Sequence, residues 1–263
     1  RGNSNCILGR LLWKLSEKMP VGLVSVDGGL ADNAIPRQTK AVVVVEEKDA
    51  ESLEQQVAAL AAELGDELAT KDPDVKVTAK KLIDTAETIT CATPEDTKRV
   101  AAFLQATPNG VQAMSADMPG LVQTSLNLGI LKADAEVLRA EYSVRSSVES
   151  EKDNLIAKLS ALVELTGGDY VVTGDYPGWK YRVHSPLREK MVKLYAEMYG
   201  NEPRVEAIHA GLECGLLGSK ISDLDCVSMG PDMKDIHTTE ETLSISSTKR
   251  VWEYLVRVLE TKD

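Results

Sequence analysis

The sequence holds three histidines, His184, His209 and His237, so each can be weighed as a ligand or an acid–base group. His237 follows Val227-Ser228-Met229-Gly230-Pro231 after five residues and leads into Thr238-Thr239-Glu240-Glu241. A strand running into a Gly-Pro turn and a polar loop is where α/β proteins gather ligands, beyond the carboxyl ends of their strands. Neutral imidazole in such a loop is a good zinc ligand; a solvated loop histidine is the alternative. His209 stands in Ile208-His209-Ala210-Gly211-Leu212-Glu213-Cys214-Gly215, where an expected strand gives way to a glycine-flanked turn and a short helix. The first N–H groups of such a helix can bind a carboxylate or polarise a carbonyl, and Glu213 can hold a substrate amine. A structural turn with a hydrogen-bonded histidine is the competing reading. His184 precedes Ser185-Pro186, a helix start, and is assigned no chemistry.

Two further residues could touch a substrate. Arg145 lies within the strand pattern Tyr142–Ser147, and its planar guanidinium suits a bidentate clamp on a carboxylate; an arginine facing solvent is the alternative. Asn33 follows the Gly28-Gly29 turn, either as a turn residue or as an amide offered to substrate. No complete metal site is visible. A di-zinc hydrolase needs roughly five His, Asp and Glu ligands plus a general base, and His237 stands without an HxD motif.

These residues need elements to position them. Ile7, Leu8, Leu11, Leu12 and Leu15 have helical spacing over 6–18, and Pro20 stops that helix. Strands are expected over 21–27 and 41–45, and an amphipathic helix over 49–68 carries Val57, Leu60 and Leu64 on one face. The pattern over 75–83 fits strand or helix. Thr93-Pro94 opens a helix to about Gln105, two strands follow near 121–131 and 137–146, and Glu149–Leu165 is amphipathic until Gly167-Gly168 ends it. Beyond that boundary the order is strand from Asp169, helix 186–199, strand 205–210, short helix, strand 225–229, helix 247–259. Strands alternating with helices predict a predominantly parallel sheet covered by helices.

The 263 residues carry a net charge of −11, with 43% hydrophobic and 4% aromatic residues and a single Phe. An acidic surface disfavours nucleic acid and anionic membranes as partners, and no apolar run approaches the roughly 20 residues that span a bilayer. Cys6, Cys91, Cys214 and Cys226 form no CxxC pair, and read as reduced thiols of a cytoplasmic protein. The opening Arg1-Gly2-Asn3-Ser4-Asn5 runs straight into a helix, so the sequence is expected to be a piece of a longer chain.

Eight stretches together resemble the Xaa-His (aminoacyl-histidine) dipeptidase family of zinc aminopeptidase-like hydrolases. They are RGNSN (1–5), DGGLADNAIPR (27–37), ATPNGV (106–111), TSLNLG (124–129), RSSVES (145–150), YPGW (176–179), IHAGLECGL (208–216) and VSMGP (227–231) with the His and Glu that follow. They stand in the family's order and span nearly the whole chain. The resemblance implies an α/β protein: an α+β lid domain over 1–166 lacking its first strand, and over 167–263 the C-terminal part of a three-layer α/β/α zinc-peptidase domain. It implies His237 as the last zinc ligand, Arg145 and Asn33 as lid residues holding the dipeptide's C-terminal carboxylate, and His209 with Glu213 on a substrate-side turn. It also implies a chemistry in which two zinc ions activate a bridging water and a glutamate takes its proton. The family's HxD motif, its Glu-Glu pair and its GGHSG-like segment fall before residue 1, so the chain alone is expected to be inactive. A homodimer through helix 49–68 and nearby edge strands is expected. The alternative is a non-catalytic dimerisation or partner-binding module built on the same fold.

Overall fold

A computed structural model describes residues 2–82, 88–207, 213–236 and 238–262. The chain falls into two compact units. The first comprises Arg1–Ala113, Val122–Ser146 and Ser150–Thr173, and the second Met114–Leu121, Ser147–Glu149 and Gly174–Asp263.

The first unit is built on β1 (Gly22–Gly28), β2 (Thr39–Val44), β3 (Gly110–Met114), β4 (Val122–Ala133) and β5 (Leu138–Ser146). β4 organises the sheet. β5 fills one of its edges from Thr124 to Ala133, so β1 and β3 share the other, with β1 paired at Leu131–Ala133 and β2 outside it. Alternation along β4 buries Thr124, Leu126 and Leu128, and turns Ser125 and Asn127 to the opposite face. The register slips between Leu128 and Ile130, leaving Gly129 as a bulge after which Leu131 returns to the core.

Helices cover the apolar face. α1 (Ser4–Ser16) and α3 (Pro94–Ala106) bring Leu12, Ala101 and Leu104 onto Leu23, Val26, Leu128 and Leu131. α2 (Ala50–Glu67) buries Val57, Leu60 and Leu64 and packs beside α1. α4 (Glu149–Thr166) is tied to β4, because Glu151 accepts from Thr124 and from Gln123. Three caps match the residue types that open these helices. Thr93 Oγ1 accepts from the Asp96 N–H in α3, and Ser185 and Ser244 do the same for helices of the second unit. α1 begins at Ser4 rather than residue 6 because Asn3 caps it.

Between α1 and α2, Arg10 reaches Glu63 at 2.7 Å and Glu67 at 2.8 Å, and Lys14 also bonds Glu63. Lys14 first, with Arg10, holds the Glu63 carboxyl below its usual range, and Arg10 does so for Glu67. A carboxyl depressed in the fold stabilises above its unfolded-state pKa and loses that contribution as pH falls through the lowered value. Arg10→Gln should therefore lower the melting temperature at pH 7, and the gap to the parent chain should close as melts are repeated toward pH 3. An unchanged gap at pH 3 would show that the network does not act through charge.

The second unit packs α5 (Pro186–Tyr199) against α7 (Ile245–Glu260) through Met191, Leu194, Tyr254 and Val258. The Tyr254 hydroxyl donates to the Met191 carbonyl at 2.6 Å. α6 (Glu213–Lys220) and a two-residue ladder of β6 (Met233–Lys234) with β7 (Thr242–Leu243) complete it. The strands expected from Asp169, over 205–207 and over 225–229 do not form among the described residues; residues 208–210 lie outside them. A strand exists only where a neighbour takes its N–H and C=O groups, and no ladder partner adjoins these segments among the described residues. Along α7, Ile245, Trp252 and Leu259 recur every seven residues and are 86%, 65% and 76% exposed. Residues 75–82, undecided in the sequence, are irregular, and Ile83 lies outside the described residues.

Candidate functional site

The site in the first unit is assembled by asparagines. Asn3 Oδ1 accepts from the N–H groups of Asn5 and Cys6, capping α1. Its Nδ2 donates to the Leu128 carbonyl at 3.0 Å and to Asn127 Oδ1 at 3.1 Å. Asn5 is fully buried, donates to the same carbonyl at 3.2 Å and accepts from Thr39 Oγ1 at 2.6 Å. Asn109 Oδ1 takes the Leu128 N–H at 2.9 Å. At the stretch of β4 lying between β1 and β3, side-chain amides thus do the work of a neighbouring strand.

That arrangement places a loop. Asn127 Nδ2 donates to the carbonyls of Asp32 and Ala34 at 2.9 and 2.8 Å, gripping the backbone on both sides of Asn33. The Ser4 hydroxyl and N–H both reach the Pro36 carbonyl, fixing the loop's far end. Its near end is set by Gly29, at φ +80°, where a Cβ would stand 1.7 Å from the Gly129 carbonyl oxygen. Asn33 itself is exposed, with its N–H on Asp32 Oδ1.

Arg145 belongs to the same face. In the β4–β5 register it stands opposite Ser125, and Ser143 stands opposite Asn127, so the face away from the buried leucines of β4 includes Ser125, Asn127, Ser143 and Arg145. Arg145 is exposed at the end of β5. One strand, β4, therefore sets both residues: Arg145 by ladder pairing, Asn33 through the Asn127 amide. A cation and an exposed amide above a polar sheet face can receive a carboxylate. Asn127→Ala removes both donors to the loop. It should cost about 1–2 kcal/mol of stability and speed amide hydrogen exchange over residues 30–36, while β1 and β5 stay protected. Unchanged exchange there would mean that the loop is held without Asn127.

Glu213 stands in the second unit, exposed, in the first turn of α6. Burial first, then the charge of Glu213, raises the Tyr176 hydroxyl above its ordinary range. His209 and His237 lie outside the described residues. Among the described residues no three of His, Cys, Asp and Glu converge as a metal site, so those residues do not fit a zinc centre by themselves.

No protein-family model matches the sequence. The chain is 31% identical over 258 residues to the cytosol non-specific dipeptidase of Escherichia coli (strain K12), a match covering 98% of this chain and 53% of that protein. The crystal structure of aminoacylhistidine dipeptidase from Vibrio alginolyticus superposes with a TM-score of 0.88 at 31% identity, covering 99% of this chain and 52% of that one. In sequence and in fold the chain is similar to these dipeptidases. It spans about half the length of these relatives, and its fold is the α/β fold of the Vibrio protein. Against that dipeptidase background, the four asparagines are what sequence reasoning missed. They sit in three of the eight stretches that carried the resemblance, but Asn3, Asn5 and Asn109 stand beside glycine or serine and read as turn residues, and nothing in the sequence marks Asn127, between two leucines, as a grip on a distant loop.

Proposed function

We propose that this chain is the lid-type unit (residues 1–166) and the C-terminal part of the catalytic domain (167–263) of a zinc-dependent dipeptidase that hydrolyses Xaa-His dipeptides. Arg145 and Asn33 hold the substrate's C-terminal carboxylate, Glu213 and His209 meet the substrate from the second unit's turn, and His237 is one zinc ligand among others supplied beyond this chain. The observation that carries the reading is the single strand that sets both Arg145 and the Asn33 loop. Two facts support the catalytic half. The chain spans about half of its dipeptidase relatives, and the exposed row on α7 fits a unit that packs against further chain. The unit working as a homodimer in the cytoplasm is part of the proposal. No described helix is long and apolar enough to cross a membrane, and light scattering of this chain reads its mass directly.

The carboxylate reading is tested by titrating the chain with an Xaa-His dipeptide and following side-chain NMR signals of Arg145 and Asn33. Millimolar binding is expected to move both, Arg145→Ala to abolish the shifts, and the C-terminally amidated dipeptide to leave them in place. Equal shifts with the amide would overturn it. The isolated chain supplied with zinc is predicted to show no dipeptide turnover above a blank. Measurable turnover would mean that a full catalytic set resides in these residues.

A further inference from the structure

Asn109-Gly110 is the only asparagine–glycine pair in the sequence, and the first unit places it where the chain enters β3. Gly110 opens that strand at φ +84°, and a Cβ built on it would meet nothing within 4 Å. Asn109 is exposed, so hydrogen bonds rather than packing hold its side chain. Its Oδ1 accepts from the Leu128 N–H at 2.9 Å and from Asn3 Nδ2 at 3.5 Å, which commits the amide to β4. The carbonyls of Asn109 and Gly110 accept from Gln112 Nε2 at 3.5 and 3.3 Å. β3 itself is lightly held. It has five residues, none of them is buried, and Val111, Gln112 and Met114 are exposed. Segments with few buried contacts open at low free energy while the rest of a fold stays intact.

We propose that Asn109-Gly110 is a fold-gated deamidation site, closed while Asn109 is bonded to β4 and reactive once β3 opens. An asparagine side chain is attacked by the backbone nitrogen that follows it, and glycine, with no Cβ, leaves that nitrogen open to approach. The Gly110 nitrogen bonds to Asn109 Cγ and gives up its proton. The side-chain nitrogen departs with that proton as ammonia, and a five-membered succinimide remains. Water then opens the ring at either carbonyl. Breaking the new N–Cγ bond leaves an ordinary aspartate. Breaking the original peptide bond leaves isoaspartate, in which the chain runs through Cγ. One water is consumed, one ammonia is released, and nothing is oxidised or reduced. Isoaspartate puts an extra carbon into the backbone just before β3 and takes the acceptor of the Leu128 N–H out of its place. That N–H loses its partner, and β3 cannot resume its pairing with β4. A chain that reacts while open therefore stays out of the native fold, and its unfolding becomes irreversible through chemistry. The proposal does not depend on the dipeptidase reading.

The test compares the chain folded in buffer with the chain unfolded in guanidinium, both held at the same mildly alkaline pH. Trypsin cleaves after Arg99 and Lys132, so residues 100–132 form one peptide that carries Asn109 and, as an internal control, Asn127, whose next residue is Leu128. Fragmentation of that peptide by mass spectrometry locates the change. In the unfolded chain Asn109 should be converted and Asn127 left intact. In the folded chain conversion at Asn109 should be slower by at least about tenfold, the factor for an opening that costs about 1.4 kcal/mol. Gly110→Ala should slow the reaction in guanidinium, where folding plays no part. When the aged chain is diluted out of guanidinium, isoaspartate at position 109 should be missing from the refolded fraction and collect in the unfolded one. The proposal is overturned if folded and unfolded chains react at the same rate, if Asn127 keeps pace with Asn109 in guanidinium, or if isoaspartate-bearing chains refold as fully as unreacted ones.

Discussion

Gly29→Ala is expected to destabilise the first unit by at least about 3 kcal/mol. Two costs add. The residue sits at φ +80°, a left-handed conformation that charges an alanine about 1 kcal/mol. The larger cost is steric, because the new Cβ would stand 1.7 Å from the Gly129 carbonyl oxygen and 3.3 Å from the Ile130 Cα. Both obstacles are backbone of β4 at its bulge, so no side chain can swing away. Either β4 shifts, breaking pairing with β5, or the loop bearing Asn33 lifts off. Gly110→Ala is the matched control: its φ is +84°, but nothing lies within 4 Å of the added carbon. Urea midpoints should separate the two variants by about 2 kcal/mol or more. Equal losses would mean that conformation alone, and not the meeting of the two backbones, is what Gly29 provides.

Leu131→Ala should cost about 3–4 kcal/mol, within the range for a buried leucine whose cavity cannot collapse. Leu131 is fully buried where β4 re-enters the core after the bulge, between the pairing of β1 and that of β5. Strands on both sides hold the walls of the hole apart, so relaxation is limited. Leu30, fully exposed in the neighbouring loop, gives the contrast: its alanine variant should stay within about 0.5 kcal/mol of the parent. Chemical denaturation of the three proteins decides the matter, and a loss at Leu131 below 1 kcal/mol would refute the placement of this residue in the core.

The parts of this fold that were legible are those whose cause is local. Thr93-Pro94 and Ser185-Pro186 announced α3 and α5 because a hydroxyl cap and a proline at the first turn act within four residues. The alternation of β4 and the turn before β5 were readable for the same reason. The failures share the opposite cause. Segments 205–210, described as far as 207, and 225–229 were expected as strands, yet a strand is a property of its neighbours, and no described neighbour pairs with their described residues. β3 was missed because its residues are mostly exposed and offer no hydrophobic pattern. Gly129 could not be seen as an extra residue, since a bulge is defined only by register against β5. At the candidate site, Arg145 and Asn33 were each named from residue chemistry, but the amide that links them to one strand, Asn127, was not. Its two acceptors, the Asp32 and Ala34 carbonyls, lie more than 90 positions away.

Asn3 carries a temporal consequence. One end of its side chain completes the first turn of α1, while the other is held by a carbonyl 125 positions further along the chain. α1 therefore gains its full anchor only after β4 has been synthesised. At about 5–20 residues per second, a ribosome needs roughly 6–25 seconds to cover that distance. During that interval Leu12, destined for complete burial, lacks Leu128 and Leu131, the β4 members of its core cluster. A nascent chain of this protein should thus be a client for hydrophobic-binding chaperones once α1 has emerged, and be released from them when β4 emerges.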